Sequence, residues 1–227
     1  TNVNTRIADK IIGMNVLEQV KIDQLLIQAD GTENKRKYGA NAIAGVSVAC
    51  ARAAANALGI PLYQYIGGVN TKIMPIPMMS IINGGRHMDR SLDVQDIMIV
   101  PVGAYNFTHA MEISCEIYHH FKEHIKENGY SVSVGDEGGF TPDCKSIDEV
   151  LELLMEAIEK AGYSAGKDVM LAFDVGASDL YDENSELYYF EGESRITGKE
   201  IYRNAEEMVQ YYEEMINRYP IIPLRMV

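Results

Sequence analysis

Pro75-Ile76-Pro77-Met78-Met79-Ser80-Ile81-Ile82-Asn83-Gly84-Gly85 is the stretch on which the fold turns. An apolar run closed by a polar residue and two glycines predicts a buried strand ending in a turn. A second run, Ile97-Met98-Ile99-Val100, follows after a polar link and is closed by Pro101. That link is short and has no helical periodicity, so the two strands are predicted to pair antiparallel rather than through a helical crossover. Downstream, a helix is predicted over 105–127, with Phe107, Met111, Ser114, Tyr118, Phe121 and Ile125 on one face and Gly129 as its stop. Ser131 to Val134 reads as a short strand leading into Gly135-Asp136-Glu137-Gly138-Gly139. Ser146 with Glu149 forms a capping-box pattern that opens the next helix, and Gly162 closes it. Val169-Met170-Leu171-Ala172-Phe173 is a further buried strand, ending on Asp174. An acidic, tyrosine-rich loop covers 178–196, Thr197 with Glu200 repeats the capping-box spacing, and the helix so opened runs to Arg218. Pro220 then begins another strand.

Upstream of Lys72 the texture is different. Residues 1–28 read as two short helices, with Ile7, Ile11, Ile12, Val20, Ile22, Leu25 and Leu26 apolar and Gly13-Met14-Asn15 between them. Asp30 to Lys35 is a polar loop. From Ala40 to Leu58 runs a helix so rich in alanine that its smooth surface predicts close packing on several sides, stopped by Gly59 before Pro61. The expected division is therefore a helical unit over 1–70 and an α/β unit over 71–227. Buried strands alternating with helices indicate a sheet covered by helices, as a barrel or a doubly wound sheet. No Gly-rich phosphate loop follows any strand, so the barrel is preferred. A closed eight-stranded barrel takes about 250 residues, so the segment after residue 75 has room for roughly the first half of one.

The 227 residues carry 33 acidic and 20 basic side chains, a formal charge of −13, with 47% hydrophobic and 23% charged residues. Such a field disfavours nucleic acid and anionic membrane surfaces as partners. No apolar stretch is long enough for a membrane span, and the opening residues lack the pattern of a signal peptide. Cys50, Cys115 and Cys144 are odd in number and widely spaced, which predicts reduced thiols in a cytoplasmic setting and no cysteine-bound metal.

Catalytic groups of α/β barrels sit at the C-terminal strand ends. His87 follows the first strand, Glu137 follows the short strand at 131–134, and Asp174 ends the strand at 169–173. Asp96, with Gln95 before it, begins the strand that runs antiparallel to the first, so both are expected at the same mouth. Asp174 is the candidate metal ligand, since a hard cation stabilises a carboxylate at a dry strand end. Crowding by Asp136 is expected to lift Glu137 toward general-acid use. His109, His119, His120 and His124 share one amphipathic helix and are expected at its surface.

Gly39-Ala-Asn-Ala-Ile, the Pro75–Gly85 run with His87, Met98-Ile-Val-Pro-Val-Gly-Ala, Val134-Gly-Asp-Glu-Gly-Gly-Phe and Phe173-Asp-Val-Gly-Ala-Ser, in that order and spacing, closely resemble the enolase family. The resemblance implies an N-terminal α+β domain before an α/β barrel whose first two strands are antiparallel. It also implies a cytoplasmic, commonly dimeric, Mg2+-dependent lyase that dehydrates 2-phosphoglycerate to phosphoenolpyruvate in glycolysis. Carried over by position, Asp174 is a magnesium ligand and Glu137 the acid that assists departure of hydroxide. His87 closes on the phosphate end of the small-molecule substrate, with Gln95 and Asp96 beside the leaving group. Asp96 and Asp179 stand where the family has glutamate, and Ser80 where it has asparagine. The strand after Pro220 continues as Pro223-Leu224-Arg225-Met226-Val227, with Arg225 where a second metal ligand belongs. The resemblance therefore implies a partial chain, lacking N-terminal strands and the later half of the barrel. The alternative is a non-catalytic, enolase-like interaction protein. A half barrel would expose strand edges and is expected to homo-oligomerise.

Overall fold

Two compact units divide the chain, Thr1–Ile73 and Met74–Val227. The structure, a computed structural model, describes residues 2–85 and 92–222. His87 and Arg225 lie outside the described residues.

In the first unit a π-helical turn, Val3–Ile7, leads into α1 (Ala8–Ile11), α2 (Gln19–Asp30), α3 (Ala40–Leu58) and α4 (Leu62–Gly67). Ile7, Ile22, Leu26, Tyr38, Ile43 and Val46 form its core. The polar loop after α2 is organised by Asp30, whose buried carboxylate accepts from the backbone N–H groups of Thr32 (3.0 Å) and Tyr38 (2.7 Å). Helix α3 has the predicted bounds, and Gly59 ends it in the left-handed conformation at φ 68°. Its packing differs from expectation. The buried residues Ile43, Val46, Ala51, Ala54 and Ala55 make a single stripe, while Val48 and Leu58 are exposed. Alanine richness here reflects helix propensity more than all-round contact.

The second unit is built on a three-stranded sheet of β1 (Met79–Asn83), β2 (Asp96–Val100) and β3 (Met170–Asp174), in the order β1-β2-β3. β1 pairs β2 antiparallel, as predicted, with Asn83 opposite Asp96 and a bulge between Ser80 and Ile82. β2 pairs β3 antiparallel, with Asp96 opposite Asp174. Pro75 and Pro77 precede β1 rather than lie within it, since neither ring nitrogen can donate to a ladder. Leu171 of β3 makes a parallel bridge to Ile221, whose neighbour Ile222 donates to the Leu171 carbonyl at 2.8 Å. Helices α5 (Phe107–Glu127) and α6 (Ile147–Lys160) pack with the sheet, and Ile81, Ile97, Ile113, Phe121, Leu151 and Leu171 join one buried cluster. The class is α/β, as expected.

Four local readings are corrected. Ser131–Val134 makes no strand; the chain doubles back, and Phe140 occupies the parallel position beside Ile82 instead. Asp174 consequently ends the third strand. The acidic stretch after it is ordered as α7 (Ala177–Leu180), β4 (Tyr181–Asp182), β5 (Leu187–Tyr189) and α8 (Glu191–Thr197), and β6 (Tyr202–Arg203) completes a small sheet of order β4-β5-β6. The last helix, α9 (Ala205–Arg218), starts at the capping box of Asn204 and Glu207, because Thr197 is engaged in closing α8 with its hydroxyl on the Glu193 carbonyl. In the earlier pair, Ser146 does cap α6, but Glu149 accepts from the N–H of Lys145 rather than of Ser146. Asn204→Ala is expected to cost about 1 kcal/mol, read from urea denaturation, since it removes one cap of two reciprocal bonds.

The face of α5 is also rotated from the expected one. Ala110, Ile113, Ser114, Ile117, Phe121, His124 and Ile125 are buried, and Phe107 is exposed. His124 is thus an interior residue, its ring placed between Lys160 Nζ, 2.7 Å from Nδ1, and Glu156 Oε2, 2.8 Å from Nε2. Lys160 from α6 hydrogen-bonds Nδ1, while buried Nε2 has the Glu156 carboxylate within ion-pair distance but no hydrogen bond of good geometry.

Candidate functional site

Antiparallel pairing of β2 brings its first residue to the mouth where β1 and β3 end. Asn83 and Asp174 flank Asp96 there in register. Asp96 is buried, and its Oδ1 accepts from the Ser80 hydroxyl at 2.6 Å and from Asn83 Nδ2 at 3.2 Å. Asn83 is fixed in turn. Its amide also donates to Ser80 Oγ at 3.0 Å, and its carbonyl oxygen accepts from the Gly139 N–H at 2.9 Å.

The bond to Gly139 draws the Gly135–Gly139 turn onto the sheet. A Cβ on Gly139 would come within 2.7 Å of Ser80 Oγ, and one on Gly135 within 2.8 Å of Asn83 Oδ1, so this approach needs glycine at both positions. Phe140 locks it by donating its N–H to the Ile81 carbonyl at 2.7 Å and accepting from the Asn83 N–H at 2.9 Å. Glu137 stands at the exposed tip of the turn and lines one cleft together with Ser80, Tyr118 and His119.

Asp174 is half-buried, with Oδ1 accepting from the Gly176 N–H at 2.9 Å. Gly176 is left-handed at φ 62°, and a Cβ there would lie 2.4 Å from Gln95 Oε1. Gln95 is thereby seated in a slot between Gly176 and Gly85 and shares a small cavity with Asp93 and Asp179.

The structure therefore brings Gln95, Asp96, Glu137 and Asp174 to one rim, while His87 lies outside the described residues. The Asp96 carboxyl is lifted. Burial pushes it above the ordinary carboxylate range, the Ser80 hydroxyl pulls it part of the way back, and the charges of Glu137 and Asp174 push it up again. A carboxyl raised in the folded state favours its protonated form there, so its ionisation costs stability as pH rises through that pKa. Asp96→Asn keeps an acceptor for Ser80 and Asn83 and removes the charge. It is expected to raise the melting temperature at neutral pH, with the advantage shrinking as pH falls toward the Asp96 pKa, measured by thermal melts across pH.

Ser80 and Asn83 carry more of the site than the sequence reading gave them. Two polar residues on an otherwise apolar strand were the available signal, because a buried polar group needs a partner. Among the described residues no three His, Cys, Asp or Glu side chains are arranged to hold a metal ion. The donor chemistry nonetheless suits a hard cation, because Mg2+ needs only one or two protein carboxylates and fills its shell with water and substrate oxygens. No single helix among the described residues is long and apolar enough to cross a membrane.

Two family models match the chain. Residues 71–225 match the one described as Enolase, C-terminal TIM barrel domain, and residues 1–66 match the one described as Enolase, N-terminal domain.

Proposed function

Because the chain belongs to the enolase family, we propose that its site serves the Mg2+-dependent dehydration of 2-phosphoglycerate to phosphoenolpyruvate, in the cytoplasm and as a homo-oligomer. The observation that supports this most is the convergence of three carboxylates, Asp96, Glu137 and Asp174, whose charges interact at one strand-end mouth. Such crowding opposes folding and is retained where chemistry uses it. Asp174, with one oxygen satisfied by Gly176, is the residue that would hold the cation. When bound, Mg2+ supplies the positive charge that offsets an anionic substrate and the enolate character of the transition state.

The residues themselves assemble the acid side of the reaction. Dehydration also requires a base to take the C2 proton, a role none of these residues is assigned; what they serve is departure of the C3 hydroxyl as water. Glu137, exposed on a turn held against β1, can carry a proton on a carboxyl oxygen and deliver it to the departing C3 hydroxyl. Asp96 and Gln95, both immobilised, orient that hydroxyl. Asp96 is one methylene shorter than glutamate and sits behind Ser80 and Asn83, so its reach toward the leaving group is less by roughly 1.5 Å. His87 would meet the phosphate end.

The test is ultraviolet absorbance of the enol phosphate formed when purified protein meets 2-phosphoglycerate with MgCl2, and its loss on chelation. Turnover under those conditions supports the reading. Magnesium-dependent substrate binding by calorimetry without turnover replaces it with the non-catalytic one.

A further inference from the structure

We infer that Asp93 is a positioning residue for Gln95 and Asp96, acting as a fork that ties the start of β2 to the backbone of α8. This deepens, and for its kinetic arm rests on, the function proposed above. Asp93 is 8% exposed and accepts from two successive N–H groups a hundred residues away: Gly192 on Oδ1 at 2.7 Å and Glu193 on Oδ2 at 2.8 Å. With both oxygens engaged the carboxylate plane is fixed, and with it the backbone two residues before Gln95.

What the fork grips is itself rigid. Phe190 donates its N–H to the Ile201 carbonyl at 3.0 Å, the Ser194 hydroxyl spans the Phe190 carbonyl and the Ile201 N–H, and Arg203 pairs Glu193 at 2.6 Å while its guanidinium lies 3.9 Å from the Phe190 ring centroid. On the other side, the Gly84 N–H donates to the Gln95 carbonyl at 2.9 Å and the Gly85 N–H to that of Leu92 at 2.8 Å. Leu92 and Val94 are buried on either side of Asp93. Gln95 has little latitude in its slot, since even a methyl on Gly176 would overlap its amide oxygen. Any shift of residues 92–95 therefore moves Gln95 against Gly176 and moves the first residue of β2. Burial also pushes the Asp93 carboxyl up despite its two N–H donors, so the ionised group is kept at a cost to stability.

The experiment compares Asp93→Ala with Ser194→Ala, which loosens α8 from within and leaves the fork in place. Amide exchange by NMR reads positioning without reference to any activity. Asp93→Ala is expected to speed exchange of the Gly84 and Gly85 amides at least tenfold, and Ser194→Ala to change it less than threefold. In the wild-type background that turns over 2-phosphoglycerate, Asp93→Ala is expected to lower kcat between tenfold and a hundredfold with KM within threefold, and Asp93→Asn, which keeps one acceptor, to recover part of the loss. Equal effects of the two alanine variants on the glycine amides, or no effect of either, would overturn the inference. Absent wild-type turnover would fail the functional reading alone, and the amide result would still decide the role of Asp93.

Discussion

Glu137→Gln is expected to lower magnesium-dependent turnover of 2-phosphoglycerate by about 10³-fold, within the 10²–10⁴ range of a positioned general acid. The amide keeps the shape of the side chain and removes the transferable proton. Since Glu137 is exposed at the tip of its turn, the substitution touches no core contact and the melting temperature should stay within experimental error. KM should change little, because an acid that acts as the leaving group departs contributes in the transition state and not in the ground state. Asp136→Asn is the control. Asp136 is the adjacent exposed carboxylate, yet the charge felt at Asp96 is that of Glu137, so a loss below threefold is expected at position 136. Equal losses at 136 and 137 would mean that net charge at the rim, and not proton delivery, sets the rate. The Asp96 carboxyl supplies a second readout. Removing the Glu137 charge takes away one of the groups that raise it, so the Asp96 pKa should fall in Glu137→Gln, followed by carboxyl NMR titration.

The elements that sequence reading located well are those whose signals are local. Helix α3 begins after Gly39 and ends at Gly59 because glycine can take the conformations required there, and both ends are written in the chain. The antiparallel β1–β2 pair followed from a link too short for a helical crossover, and this pairing is what puts Asp96 at the working mouth. The readings that failed depended on partners distant in sequence. Thr197 with Glu200 and Asn204 with Glu207 have the same capping spacing, and only the use of the Thr197 hydroxyl within α8 separates them. The burial of His124 is not legible because nothing near it in sequence announces Lys160 and Glu156. Asp93 is illegible for the same reason, its two donors being a hundred residues away. Within the candidate site, Asp96, Gln95 and Asp174 were legible from strand ends. The attachment of Glu137 was not, since it rests on Phe140 taking a ladder position that the sequence reading gave to Ser131–Val134.

Phe140 accordingly links stability to the site, and its truncation is the structural counterpart of Glu137→Gln. Its side chain is 1% exposed, with ring centroids 4.5 Å from Tyr118 and 5.8 Å from Phe121, both on α5. Phe140→Ala is expected to cost about 3–5 kcal/mol in urea denaturation, the range for emptying a buried aromatic site. That is a large share of the total stability of an ordinary domain. Leu154→Ala, on the buried face of α6, has an expected cost of about 2–5 kcal/mol and gives the comparison. Both variants lose core volume. Phe140→Ala alone also loosens the residue whose backbone bonds to Ile81 and Asn83 hold the Gly135–Gly139 turn, and with it Glu137, against Ser80 and Asp96. At a temperature where both variants remain folded, turnover should therefore fall at least tenfold further in Phe140→Ala than in Leu154→Ala, because an ångström of misplacement at the acid costs rate without further cost in folding free energy. Equal turnover in the two folded variants would show that the turn keeps its place through Gly139 and Asn83 alone, and that the ring serves only the core.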